Sequence, residues 1–274
     1  MAHIQCSFYS PSLKKNANVL VFIPTMSADD YLSQKHINYY RPGAKYQTLY
    51  LLHGSYGDCT DWVRLANVER YAQDKKLAVI MPSVENSSYV NMDMGEAYLT
   101  YISEELPDFL SKIFPLSKRR DNTFVAGLSM GGYGAFRAAL EHPERYKCAA
   151  SLSGALDLAA LHNGTEAHIV LMARNYLKAV FADKTKISGS MNDLPVLLKK
   201  RLDEGAELPR LFMTCGTEDF IYETNETFHA RANEMGVQVT YERHTGVHDW
   251  NYWDTHIQRV LDWLPTTGDL VEEN

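Results

Sequence analysis

Residues 122–142 read NTFVAGLSMGGYGAFRAALEH, and this stretch restricts the fold more than any other. A short β-like run, Thr123 to Ala126, breaks at Gly127. Ser129 follows, and an Ala-rich helical segment continues to Pro143. Strand, sharp turn, serine and helix form the context that turns G-x-S-x-G into a nucleophile elbow. The serine backbone is strained at such a turn, and strand and helix crowd it. Positions two before and two after must therefore be nearly free of side chain. Gly127 and Gly131 occupy them, and Gly132 and Gly134 are expected to let the helix lie close to the sheet. A Gly-rich turn that merely packs well would read the same way locally. The decision rests on whether the rest of the chain supplies an acid, a base and an oxyanion site in a workable order.

Along the chain, apolar runs alternate with amphipathic segments. Residues 3–9 and 18–24 read as two early strands joined by a polar turn. Residues 48–52 (TLYLL), 77–81 (LAVIM), 148–152 and 211–215 (LFMTC) are continuous apolar runs, as strands buried on both faces require. Between them, 62–76 and 96–113 carry helical periodicity, the second with a kink expected at Pro107. A helix over 223–235, a strand over 237–243 and a closing helix ending at Trp263 complete the pattern, and a polar tail begins at Pro265. This rhythm predicts a mostly parallel sheet with helices on both faces. It lapses only over 157–208. Fifty residues without a strand predict an inserted helical cap that overhangs the serine, because long structureless loops are uncommon. A peripheral helical excursion is the plainer alternative. The whole of 1–274 is read as one domain of the α/β-hydrolase fold with that insertion.

If Ser129 is the nucleophile, such a fold needs its acid after a later strand and its base after the last one. Asp219 sits in a Gly-opened turn directly after the strand at 211–215, where it could hold and charge-stabilise an imidazole. Glu218 beside it and Glu223 further on compete for the role. Among ten histidines, His248 lies in a Gly-preceded loop between the last strand and the last helix, from which a base can reach over the strand ends. His244 is the reserve. His53 is tempting, but it precedes the serine among residues that look structural. His244, His248 and Asp249 have a zinc-like spacing, yet on loop-like rather than helical sequence, so no metal is expected. The loop His53-Gly54-Ser55-Tyr56-Gly57, directly after the strand at 48–52, is where this architecture supplies an oxyanion donor, since a backbone N–H aimed at an oxyanion needs a tightly turning chain. Tyr56, Trp62 and the aromatics of 89–101 could line a ring-accepting pocket, although aromatics at helical spacing are more often core.

Charge and composition narrow the classes further. A formal net charge of −7, with no basic run longer than 118–120, argues against a nucleic-acid partner. No apolar run approaches the roughly 20 residues of a membrane span. No secretory signal is visible, and four scattered cysteines read as free thiols in a reducing cytoplasm. The expected partner is a small-molecule ester; oligomeric state stays open.

The segments 49–62 (LYLLHGSYGDCTDW), 124–136 (FVAGLSMGGYGAF), 149–157 (AASLSGALD), 215–220 (CGTEDF) and 246–250 (GVHDW) resemble the esterase D-type serine esterases. That group includes tributyrin esterases, S-formylglutathione hydrolases, and acetyl-xylan and feruloyl esterases. The resemblance spans nearly the whole chain and is weakest over 157–208. It implies an α/β-hydrolase with Ser129, Asp219 and His248 as triad, Ser55 and Met130 as oxyanion N–H donors, and no cofactor. The expected activity is hydrolysis of short-chain acyl esters, with acetylated or feruloylated saccharides among the candidate substrates. Thioester hydrolysis of the S-formylglutathione type is the alternative, and a non-catalytic binding module of the same fold is the reading from another class.

Overall fold

A computed structural model describes residues 1–33, 38–39, 41–163, 174–182 and 187–273. Its centre is an eight-stranded sheet. A hairpin of β1 (Ala2–Ser10) and β2 (Lys15–Ile23) forms one edge, with register running from Ala2 opposite Ile23 to Ser10 opposite Lys15. Helix α1 (Ala28–Leu32) follows, and the short β3 (Ala44–Lys45) lies outside the main sheet. Next come β4 (Thr48–Leu52), α2 (Asp61–Leu65), α3 (Val68–Lys75) and β5 (Ala78–Pro82). A helical stretch contains α4 (Tyr98–Thr100), a π-helical turn (Tyr101–Glu105) and α5 (Leu106–Ile113). Then β6 (Thr123–Leu128), α6 (Met130–Glu141) and β7 (Cys148–Leu152) follow. Helices α7 (Leu158–Asn163), α8 (Arg174–Phe181) and α9 (Leu194–Asp203) separate β7 from β8 (Arg210–Gly216). The chain ends with α10 (Tyr222–Glu234), β9 (Val239–His244), α11 (Trp250–Trp263) and the short β10 (Val271–Glu272).

The strand order is β1-β2-β5-β4-β6-β7-β8-β9. β2 is antiparallel to both its neighbours, and every pair from β5 to β9 is parallel. Side chains alternate between two apolar cores. Tyr50, Leu52, Val125 and Met213 face one, with α5, α6, α9 and α10 over them through Leu110, Phe136, Leu197 and Phe228. Leu49, Leu51, Phe124 and Phe212 face the other, under α2, α3 and α11 through Trp62, Ala72 and Ile257. A parallel sheet needs this double cover, because its strands are apolar on both faces. The mostly parallel sheet flanked by helices is the α/β-hydrolase architecture.

Three segments differ from expectation, two because of a distant contact and one because of a local backbone constraint. The helix expected over 62–76 breaks at Ala66-Asn67, where the Asn67 N–H donates to Asp254 Oδ1 on α11 at 2.9 Å. The kink expected at Pro107 is taken up one turn earlier by the π-helical turn, since proline cannot donate to residue 103. The polar tail after Pro265 pairs back onto the fold: β10 is antiparallel to β3, and the Arg41 guanidinium donates to Leu270 O at 2.8 Å.

The excursion at 157–208 leaves β7 beside Ser129, whose carbonyl accepts the Ala155 N–H at 3.1 Å. Its α9 packs with α6 and α10, as an ordinary member of the helical layer. Asp93 and Met94 donate backbone N–H groups to Val180 O and Ala179 O, which ties the loop after β5 to α8. Residues 164–173 and 183–186, where part of the expected cap falls, lie outside the described residues.

Candidate active site

The elbow is built as its glycine spacing demands. Ser129 has φ 52° and ψ −118°, a region that residues with a side chain rarely adopt. A Cβ on Gly127 would overlap Gly131 O, and one on Gly131 would lie 2.6 Å from both Leu52 O and His53 O. Gly132 is pressed on β7, its Cβ direction meeting Ser151 Oγ at 2.5 Å and Gly154 Cα at 2.8 Å. Gly134 departs from expectation: it makes room for the ring of Tyr89, which comes from the loop after β5 rather than from the sheet.

Ser129 directly follows β6, while Asp219 and His248 come from the turns after β8 and β9, so all three gather at the carboxyl ends of parallel strands. His248 Nε2 is 2.9 Å from Ser129 Oγ. Its Nδ1 is 3.0 Å from Asp219 Oδ1 and 2.9 Å from Oδ2. The Asp219 side chain is completely buried and also accepts the Ile221 N–H at 3.1 Å. The imidazole is held between Phe220, at 4.6 Å, and an edge-on Trp253, at 4.9 Å. Asp249 then caps α11, accepting the Tyr252 N–H at 2.9 Å, which ends the histidine loop sharply.

The competitors for these roles point elsewhere. Glu218 Oε2 accepts the Gly246 N–H at 2.6 Å instead of touching His248. Glu223 lies in the first turn of α10. His244 faces Glu242 at 3.3 Å and stacks near His256, so His244, His248 and Asp249 do not converge on one point. Among the described residues, no group of three or more His, Cys, Asp or Glu side chains could hold a metal ion. His53 is buried and structural. Its Nε2 accepts the Val84 N–H at 3.1 Å, so Nδ1 carries the proton and donates to Gly54 O at 2.7 Å. Burial pushes its pKa down, which keeps it neutral.

The loop at 53–57 lies against the elbow: a Cβ on Gly54 would be 3.5 Å from Ser129 Cβ. Among the described residues, no hydrogen bond occupies the N–H of Ser55 or of Met130. Side chains from the loop after β5 hold this loop in place. The Tyr89 hydroxyl donates to His53 O at 2.9 Å, and Asn86 Oδ1 accepts the Tyr56 N–H at 2.6 Å. Asn86 did not stand out in the sequence, because a polar loop carries no periodicity to mark it, and Tyr89 stood out only as a candidate pocket aromatic rather than as a support of this loop.

The aromatic pocket residues divide. Tyr56 is exposed beside Ser55, in left-handed backbone with φ 65°. Trp62 is 1% exposed, donates its indole N–H to Leu52 O at 3.1 Å and packs edge-on against Trp250. It therefore offers no surface to a substrate and instead braces the end of β4. Tyr89, Tyr98 and Tyr101 are likewise core residues.

Known proteins are similar to this chain over nearly its whole length. The family described as "Putative esterase" matches residues 31–264. The chain belongs to this family. An acetyl esterase of Caldicellulosiruptor saccharolyticus is 34% identical over 271 residues, covering 98% of this chain and all of that one. Two solved Staphylococcus aureus proteins are each 34% identical, covering 96% of this chain and 98% of theirs. They are the fluorophosphonate-binding serine hydrolase FphF, with a TM-score of 0.85, and the S-formylglutathione hydrolase FrmB, with a TM-score of 0.81. This esterase family member is accordingly a serine carboxylic ester hydrolase. Among its described residues, no helix is long and apolar enough to cross a membrane.

Proposed function

We propose that the chain hydrolyses short-chain acyl esters of small molecules through an acyl-enzyme on Ser129. The observation that carries this reading is the unbroken path Ser129 Oγ–His248 Nε2 and His248 Nδ1–Asp219, all within 3.0 Å and ending on a buried carboxylate. His248 takes the Ser129 proton as the oxygen attacks the ester carbonyl, and Asp219 stabilises the imidazolium. The free N–H groups of Ser55 and Met130 bind the oxyanion, and His248 then protonates the departing alcohol. Water, activated by the same imidazole, releases the acid and restores the serine. The exposed Tyr56 ring, next to Ser55, is placed to meet the acyl or alcohol group of the substrate.

An acetyl ester is the first substrate to try, given the 34% identity to an acetyl esterase. S-formylglutathione is a second arm, supported by equal identity to FrmB, and the same triad serves a thioester. Ser129→Ala should lower kcat on p-nitrophenyl acetate and butyrate by about 10⁴-fold or more. Near-wild-type turnover would refute the proposal. Comparing kcat/KM across acetyl, butyryl and feruloyl esters and S-formylglutathione then assigns the acyl and leaving groups.

A further inference from the structure

The triad reading gives Glu218 no role, yet its carboxylate makes one of the shortest hydrogen bonds near the site. The β8–β9 ladder ends with Gly216 opposite His244. Beyond it, two backbone bonds continue the pairing: Thr217 N–H to His244 O at 2.9 Å and Glu218 N–H to Gly246 O at 3.1 Å. The return bond comes from the side chain. Gly246 N–H donates to Glu218 Oε2 at 2.6 Å, where a strand carbonyl would otherwise stand. The two loops are clamped at one point from both directions. Gly246 is also immobilised sterically, since a Cβ on Gly216 would overlap its carbonyl and a Cβ of its own would overlap the Tyr252 ring.

The consequence lies one and two residues further on. Glu218 is adjacent to Asp219, and Gly246 is two residues before His248. We propose that Glu218 is a positioning residue, whose carboxylate replaces a missing rung of the β8–β9 ladder and thereby holds His248 in register with Asp219. The idea rests on the triad reading above. It gives the adjacent carboxylates separate tasks: Asp219 touches the imidazole, and Glu218 sets the loop that presents it. A carboxylate suits the place because a charged acceptor strengthens a bond exposed to water. The side chain lies in solvent, so its removal opens no cavity.

The test is a set of variants assayed on p-nitrophenyl acetate. Glu218→Ala should lower kcat by about 10- to 100-fold through misplacement of the base, with KM changed less than about twofold. Its melting temperature should stay within about 2 °C of wild type, as for an exposed substitution. Glu218→Gln keeps an acceptor oxygen and should recover kcat to within about threefold of wild type. In an Asp219→Ala background the Glu218→Ala penalty should shrink below about twofold, because the contact it protects is already gone. Four results would overturn the proposal: wild-type kcat in Glu218→Ala, an effect confined to KM, no recovery by glutamine, or an undiminished penalty without Asp219. His248→Ala separates the two levels. If it too retains activity, the triad itself has failed; if it is inactive while Glu218→Ala is normal, only the clamp has.

Discussion

Gly131→Ala is the most informative single change, because two opposing effects meet at one methyl group. In an ordinary helix the substitution would stabilise by about 0.5–1 kcal/mol, since glycine loses more backbone freedom on folding. Here the added carbon would lie 2.6 Å from both Leu52 O and His53 O, where ordinary contact begins near 3.4 Å. Neither side yields readily. Leu52 is fully buried on β4, which is paired with β5 and β6, and α6 is buried from Met130 to Leu140. Overpacking of this kind costs about 1–3 kcal/mol, which offsets the helical gain and leaves a net loss of up to about 2.5 kcal/mol. For a chain of 274 residues each kcal/mol lost corresponds to a fall in melting temperature of about 2 °C. The larger effect falls on catalysis. Relief of the clash moves α6 away from the end of β4, and so separates the N–H of Met130 from the loop carrying Ser55. Loss of one oxyanion donor is worth about 10²–10³ in kcat, and a comparable fall is expected. Thermal melts followed by circular dichroism, with kcat and KM on p-nitrophenyl acetate, measure both. A variant that melts at or above wild type and keeps kcat within twofold would show that the close approach of helix and strand is not required.

Two further predictions concern the supports of the site and of the fold. Tyr89→Phe removes the hydroxyl that donates to the buried His53 carbonyl; it should cost about 1–3 kcal/mol in denaturant titration and lower kcat more than it raises KM. Unchanged stability and kcat would remove Tyr89 from the support of that loop. Acid sensitivity should come from Asp30, which pairs with Lys76 at 3.1 Å in a buried site. Burial alone would raise its pKa, but the Ser27 hydroxyl and N–H, Lys76 and Tyr39 outweigh it and hold the carboxyl well below the usual range. A depressed folded-state pKa contributes stability above the unfolded value near 4, and that stability is lost as pH falls below it. Asp30→Asn should therefore be destabilised by about 3–5 kcal/mol at pH 7, because Lys76 is left unpaired, and should lose part of the wild-type decline below pH 4. An acid limb identical to wild type would assign that decline to other groups.

Local signals sufficed wherever one element carried its own constraint. Strands β4 and β7 fall on the residues expected, because a run apolar on both faces can be satisfied only inside a covered parallel sheet. The elbow was legible because Gly127, Ser129 and Gly131 lie within one turn of chain. The order of Ser129, Asp219 and His248 followed from strand succession. Turn context favoured Asp219 over Glu218, but neighbouring carboxylates have the same chemistry and local sequence offered Glu218 no partner of its own. The choice depends on which of them β9 brings opposite an imidazole and which opposite Gly246.

The sequence by itself determined the sheet, the elbow and the kinds of groups delivered to the strand ends, because periodicity and glycine spacing act over a few residues. Tertiary structure alone decided which carboxylate meets His248, that Trp62 is a brace against Trp250, that Tyr89 holds the loop at 53–57, and that the tail returns to pair with β3. Each of these depends on a contact between segments far apart in the chain. Such a contact leaves no mark on the local pattern of either segment, because its energy exists only once both have folded.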